Sequence, residues 1–391
     1  LEAQSTEERY HSDSHNALNR KLRVLLDARK LGDGGIGVYI HNLIVGLLES
    51  DKVELTLITS RERRTFLRGI KGFSVIEDNA KSYSFDEMLG LARRIDMSEF
   101  DIFHVPHYTL PYNIGIPSVV TIHDVIHVTH PERSFYPIIA KFLIRSALKR
   151  ASKVITVSES SKRALCNLLG KESSKIEVIP NAIDPKMNSV RDITEPLATK
   201  FGLVNEEYIL GVFSNLKPHK GVTDLLRSFQ KVRSEYPGIK LALAGSGIPD
   251  PEYLAKVLKG VTDFTDVNFL GTVSRDELSH LYAGALFLVV PSLAEGFSLP
   301  VLEAKFQGTP IVCRPVPAIK ELIDENDICC SDFSQKSLTT GLLEGLKKYR
   351  TRDRGDEILI DIERYSTPHV TKEILTLYRD AIKTSKTGDP L

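Results

Sequence analysis

Short apolar runs alternate with amphipathic stretches along the whole chain, and this alternation constrains the fold more than any other feature. The candidate strands of the first half are Leu22–Leu26, Val53–Ile58, Ile102–Val105, Val119–Ile122, Val154–Val157 and Ile176–Ile179. Those of the second half are Tyr208–Phe213, Lys240–Ala244, Val267–Leu270, Leu286–Val290, Pro310–Cys313 and Ile328–Cys330. Helical stretches such as Thr223–Tyr236 and Pro300–Gln307 lie between most of them. Strand, helix, strand repeated in this way predicts α/β architecture, with parallel sheets covered on both faces. A length of 391 residues suits two such domains. The boundary falls near Pro180–Leu203, where Pro180 and Pro185 frame a turn-rich segment and the following residues to Lys200 are polar. Ligands of open α/β sheets collect outside the carboxyl ends of the strands, so the chemistry is expected on loops facing a cleft between the domains.

Composition removes several alternatives. Lysine plus arginine equals aspartate plus glutamate at 51 each, which argues against nucleic acid as the main partner. The four cysteines, Cys166, Cys313, Cys329 and Cys330, form no CxxC pair and suggest neither a disulfide framework nor a zinc site. A reducing cytosol fits that usage. Residues 1–20 are polar, without the apolar stretch of a signal peptide, and read as a flexible extension. The longest strong apolar run, Ala285 to Val290, is strand-sized and far short of a membrane span.

Four loops carry candidate chemistry. After the first strand, Gly32, Gly34 and Gly37 satisfy GxGxxG ahead of a predicted helix from Val38 to Leu48. Such a loop lets backbone amides approach phosphate, but the next strand ends in Thr59-Ser60 without the acid a dinucleotide site wants. A plain strand-to-helix turn and a phosphate- or sugar-facing loop both remain open. His123-Asp124 follows an apolar run, and His104, His107, His127 and His130 lie nearby in sequence. Their spacing is not that of HExxH, so a polar contact from His123 to substrate is the preferred reading over metal binding or a structural role. Lys220 stands before the helix Thr223–Tyr236, where a cation opposes the helix dipole and an anion is favoured. The segment Glu295 to Ala304 places Pro300 at the start of a helix, Phe297, Ser298 and Leu299 as bare amides, and Glu303 in the first turn. Glu303 could accept hydrogen bonds from two neighbouring hydroxyls, and Glu295 could reach a different group. The plainer alternatives are a solvated lysine and a glutamate that only favours the dipole.

The stretch 135–153 is of another kind. Ile138, Ile139, Phe142, Leu143, Ala147 and Leu148 form one predicted apolar face, with Lys141, Arg145 and Lys149 on another. It fits either a helix packed on its sheet or a peripheral contact with an anionic membrane.

Around Glu295 and Glu303, two acids separated by seven residues, the chain resembles the retaining glycosyltransferases of family 4. The resemblance extends over nearly all of Leu22 to Lys383. It includes the Gly-Gly-Ile-Gly loop, His123-Asp124, Thr156-Val157-Ser158, Ile179-Pro180-Asn181, the Asn215–Gly221 loop and Ala244-Gly245-Ser246-Gly247. It implies the GT-B fold, in which two doubly wound, Rossmann-like domains face each other across a cleft. These would be residues 21–185 on the acceptor side and 203–368 on the donor side, with a helix at about 370–385 crossing back. It implies a nucleotide-sugar donor, GDP- or UDP-linked, a saccharide or lipid-linked acceptor, no cofactor and no metal. Glu303 should then bind the donor ribose and Glu295 the transferred sugar. The amides of Gly296, Phe297, Ser298 and Leu299 should meet the diphosphate, with Lys220 balancing its charge. His123 should lie against the sugar, Gly34, Gly35 and Gly245 near the donor, and the backbone at Val273 near the base. Catalysis would rest on His123, Lys220 and Glu295. Many relatives carry arginine where this chain has Asn215, which lacks a guanidinium fork. The cysteine usage points to the cytoplasm, and the resemblance favours mannose transfer from GDP-mannose, with a UDP-sugar-dependent transferase, a sugar-nucleotide epimerase or hydrolase of the same fold, and a catalytically lapsed partner subunit as the alternatives.

Overall fold

The computed structural model describes residues 20–80, 84–184, 187, 189–190, 192–245, 261, 263–351 and 361–387. Ser246, Gly247, Pro185 and residues 1–19 lie outside them. The first sheet has seven parallel strands: β1 Leu22–Asp27, β2 Val53–Thr59, β3 Phe73–Glu77, β4 Ile102–Val105, β5 Ser118–Thr121, β6 Lys153–Thr156 and β7 Ile176–Val178. Their order is β3-β2-β1-β4-β5-β6-β7. The second has six parallel strands: β8 Tyr208–Val212, β9 Lys240–Ala244, β10 Val267–Gly271, β11 Phe287–Val290, β12 Ile311–Cys313 and β13 Ile328–Cys329. Their order is β10-β9-β8-β11-β12-β13. In both sheets the order reverses once, between β1 and β4 and between β8 and β11, and loops leaving such a pair open a crevice.

Each sheet is apolar on both faces. In β1, Val24 and Leu26 point into one core and Leu25 into the other. In β8, Tyr208 and Leu210 face one core and Ile209 the other. β3 was not among the sequence candidates. It is an edge strand whose residues are half-buried or exposed, so it lacks the apolar run that marks a central strand.

Eight helices position the site: α1 Gly34–Glu49, α2 Tyr136–Arg150, α3 Glu159–Leu169, α4 Val222–Glu235, α5 Arg275–Gly284, α6 Leu299–Phe306, α7 Gln335–Tyr349 and α8 Thr367–Thr387. α1 starts four residues earlier than the pattern predicts, so Gly34 and Gly37 are helical. α2 departs from expectation in its faces. The buried stripe is Ala140, Ile144, Ala147 and Leu148, whereas Ile138, Ile139 and Phe142 are exposed. α8 lies against α1. It places Val370, Ile374, Leu377 and Tyr378 in the same core as β1 and β2, and Tyr378 Oη is 2.6 Å from His104 Nδ1. A Cβ on Gly46 would come within 2.0 Å of Thr371 Oγ1, so these helices meet at backbone distance.

The sheets are joined by more than the connecting chain. Ser158, the N-cap of α3, donates to the Gly296 carbonyl at 2.7 Å. The carboxylate of Glu321 accepts the Glu159 and Ser160 amides at 2.9 and 2.7 Å, closing the α3 N-terminus from the opposite domain.

Candidate donor cleft

The loops after β1, β5, β8 and β11 line one cleft of about 930 Å³ between the sheets. Gly34, Gly35, His123, Asn215, Lys220, Gly245, Val273, Glu295, Gly296, Phe297, Ser298, Leu299 and Glu303 all border it. The loops touch tightly. A Cβ on Gly296 would sit 2.2 Å from the His123 carbonyl, and Gly221, at φ +69°, would meet the Pro291 carbonyl at 2.1 Å. Gly245, at φ +146°, lies against the Phe213 carbonyl, where a Cβ would fall at 1.7 Å. Gly34, at φ +51°, faces Ser214 of the second domain, while a Cβ at Gly35 would meet nothing within 4 Å among the described residues.

The loop after β11 supplies Glu295 and leads into α6, which carries Glu303. Lys220 Nζ lies 2.7 and 3.0 Å from the two Glu295 carboxylate oxygens, and Ser292 donates to Glu295 Oε1 at 2.7 Å. Lys220 closes a short 3-10 turn, Pro218–Lys220, with Gly221 as the N-cap of α4. The cation that opposes the helix dipole thus has a carboxylate partner. Ser298 is the N-cap of α6 at φ +105°, ψ +80°, without a side-chain cap bond. A non-glycine residue in that region costs on the order of 1–3 kcal/mol and needs a reason to persist. Here it turns the loop so that the amide end of α6 faces the cleft.

Glu303 is the fifth residue of α6, so it opens the second turn rather than lying in the first, as expected above. Its carboxylate is buried. Arg275 Nη1 donates to Oε1 at 2.8 Å and Tyr282 Oη to Oε2 at 2.9 Å. Burial pushes the carboxyl above its ordinary range, against the pull of the Arg275 charge and the Tyr282 hydroxyl.

His123 follows β5. The residue is half-buried; its ring stacks edge-on against Tyr39 at 4.8 Å and hydrogen-bonds the Pro106 backbone. Desolvation holds it near pKa 4, so the imidazole is neutral at pH 7, and Nε2, itself shielded from solvent, has no hydrogen-bond partner among the described residues. Of the other histidines of the sequence cluster, His107, His127 and His130 also border the cleft, whereas His104 does not. His104 spans Tyr378 and Thr121, and His127 Nδ1 meets Tyr108 Oη at 2.7 Å.

Asn215 borders the cleft, yet its Oδ1 accepts the Lys217 amide at 3.2 Å and stabilises its own turn. Lys217 pairs with Glu132 at 2.6 Å across the cleft. Sequence reasoning missed Arg275, Tyr282 and Asp184. Arg275 carried a signal, since it begins α5 directly after the N-cap Ser274 and opposes the dipole as Lys220 does. Nothing local in the sequence marked Tyr282 or Asp184.

Two parallel sheets that face their switch-point loops across a cleft define the GT-B type of glycosyltransferase. The model described as Glycosyltransferase Family 4 matches residues 33–187, and that described as Glycosyl transferases group 1 matches residues 194–357. The chain belongs to the family 4 glycosyltransferases. It is 27% identical to O-antigen chain mannosyltransferase B of Escherichia coli over 71% of this chain and 74% of the relative. It is 23% identical to the O-antigen chain mannosyltransferase RfbU of Salmonella typhimurium over 80% and 88%. In structure it resembles a glycosyltransferase of Rickettsia africae, with TM-score 0.73, 17% identity and coverage of 93% and 99%. It also resembles Anabaena HepE in complex with UDP and glucose, with TM-score 0.71, 18% identity and coverage of 91% and 98%.

Proposed function

We propose that this glycosyltransferase moves a hexose from a nucleotide-sugar donor to a saccharide or lipid-linked saccharide, retaining the anomeric configuration and using no divalent metal. The observation that carries the reading is the grouping of Glu303, the bare N-terminus of α6 and the Lys220–Glu295 pair along one cleft. In this reading Glu303 accepts the ribose hydroxyls and Glu295 a sugar hydroxyl. The amides at the start of α6 meet the diphosphate, because a helix N-terminus favours anions. Lys220 leaves or shares Glu295 to stabilise charge on the departing diphosphate. Neutral His123 offers Nε2 to the sugar. With no enzyme nucleophile assigned, the acceptor hydroxyl attacks on the face the diphosphate leaves, and that phosphate takes the proton.

Mannose from GDP-mannose is the donor we favour, since two relatives are named O-antigen chain mannosyltransferases. A UDP-sugar is the second reading, supported by the UDP and glucose bound in HepE. Thermal-shift titration with UDP, GDP, ADP and dTDP tests both. A ligand at about a hundredfold its Kd adds about 2.7 kcal/mol of stability. GDP is expected to give the largest shift. A larger shift with UDP transfers the assignment to the second reading, and no shift with any nucleotide removes both.

The exposed face of α2 supports a peripheral membrane contact in the cytoplasm. Phe135, Ile138, Ile139 and Phe142 are solvent-facing, beside exposed Lys141, Arg145 and Lys149. His130 and Glu132, a few residues earlier, border the cleft, so a membrane-borne acceptor would arrive at its mouth. Each basic residue near an anionic surface adds about 1 kcal/mol, and a buried Ile or Phe about 1.5–3 kcal/mol. Flotation with phosphatidylglycerol vesicles should carry the protein upward, and Ile138→Asp with Phe142→Asp should abolish it. A protein that stays at the bottom in both cases removes the contact.

A further inference from the structure

Arg275 holds together two carboxylates that belong to different parts of the molecule. Its Nη1 donates to Glu303 Oε1 at 2.8 Å, and its Nε lies 3.0 Å from Asp184 Oδ2. Both carboxylates are buried. Asp184 ends the segment by which the chain leaves the first domain, and that segment meets the chain on its way back. The Ile183 amide donates to the Tyr365 carbonyl at 2.9 Å, and Thr367 Oγ1 donates to the Ile183 carbonyl at 3.2 Å. One residue earlier, the Ala182 carbonyl accepts Asn42 Nδ2 of α1 at 3.1 Å. Both interdomain crossings are thus tied at residues 182–184, and Arg275 links that tie to the cleft.

The local cost argues that Arg275 stands there for a reason. As the first residue of α5 it opposes the helix dipole. The helix does not need it, since Ser274 and Glu277 already form a complete capping box. One guanidinium also faces two buried negative charges, a costly arrangement unless geometry and hydrogen bonding are well satisfied.

We propose that Arg275 is a positioning residue that holds Glu303 aimed at the donor nucleoside, and couples donor occupancy to the interdomain hinge through Asp184. The inference rests on the reading that Glu303 grips the ribose. Hydroxyls that donate to Glu303 take over part of what Arg275 supplies, which lets the guanidinium lean toward Asp184. Nucleotide binding and domain apposition then share one link, and such a link works in both directions.

The groups facing Glu303 are Arg275, Tyr282 and Asp184, and of these only Arg275 lowers its pKa by charge. The sign follows. Without the guanidinium the Glu303 carboxyl rises further, and affinity is lost as pH falls through that raised value. The experiment is calorimetric titration of the full chain with GDP and with UDP from about pH 6 to pH 8, on wild type, Arg275→Gln, Arg275→Lys and Glu303→Gln. Arg275→Gln is expected to bind on the order of tenfold more weakly than wild type at the upper pH, and to lose affinity more steeply than wild type as pH falls. Arg275→Lys, which keeps the charge, is expected to restore the wild-type profile. Small-angle scattering adds the hinge. Compaction on nucleotide binding should shrink in Asp184→Asn, while circular dichroism shows the fold retained.

An Arg275→Gln protein with wild-type affinity and pH profile overturns the proposal, as does unchanged compaction in Asp184→Asn. If Glu303→Gln itself binds like wild type, the ribose reading fails and the proposal with it. If Glu303→Gln weakens binding and Arg275→Gln does not, only the proposal fails.

Discussion

Replacing Glu303 by alanine is expected to weaken nucleoside diphosphate binding on the order of a hundredfold. The carboxylate is buried and its two oxygens are aimed by Arg275 and Tyr282. Hydrogen bonds to an ionised acceptor contribute about 1.5–3 kcal/mol each, and two ribose hydroxyls lose theirs together. About 3 kcal/mol corresponds to that hundredfold, since 1.4 kcal/mol is tenfold. Arg275 keeps Asp184 as a counter-ion in the variant, so the guanidinium is not left alone in the interior. Calorimetric titration with the nucleotide that gives the largest thermal shift makes the measurement. Glu303→Gln, which preserves volume, should retain the fold and still lose most of the affinity. Wild-type affinity in the alanine variant would falsify the ribose assignment.

Lys220→Ala is expected to lower kcat by 10² to 10³, the loss typical of removing one donor aimed at charge that develops in the transition state, about 2.7–4 kcal/mol. The bidentate pair with Glu295 sharpens the expectation. Lys220 is held by Glu295 before the reaction, so its contribution rises as the leaving diphosphate gains charge, and kcat should suffer more than KM. Lys220→Ala and Glu295→Gln act on one unit, so the double variant should lose much less than the product of the single losses. Steady-state kinetics on the four proteins decide it. Multiplicative losses would show that the two residues work independently. Lys220→Arg should recover only part of the rate, because a planar fork does not replace a compact ammonium.

How far the site could be read from sequence depended on whether its determinants were local. Glu295, Gly296, Ser298 and Glu303 sit within one strand–loop–helix unit, so their spacing was enough to bring them together. Lys220 lies just before the N-cap of one helix and Arg275 begins another, both against the dipole; the sequence pattern marked the first and not the second. The pattern misplaced Glu303 by part of a turn, because α6 begins at Leu299 and Pro300 is its second residue. It also misjudged α2. The helical period groups Ile138, Ile139 and Phe142 with Ala147 and Leu148, yet it does not say how wide a face the sheet covers. β3 escaped because an edge strand with half-exposed side chains has no continuous apolar run.

By itself the sequence determined the two-domain α/β organisation and the grouping of the acidic pair beside a helix start. Apolar periodicity reports burial within one element, and turn chemistry reports its ends. Tertiary structure alone decided that Lys220 is held by Glu295, that Gly296 lies against the His123 carbonyl and that Tyr378 reaches His104. It also alone joined Arg275 to Asp184 and Glu303. These contacts join residues far apart in the chain, and their geometry is set by how whole helices and sheets pack, which no local pattern of residues records.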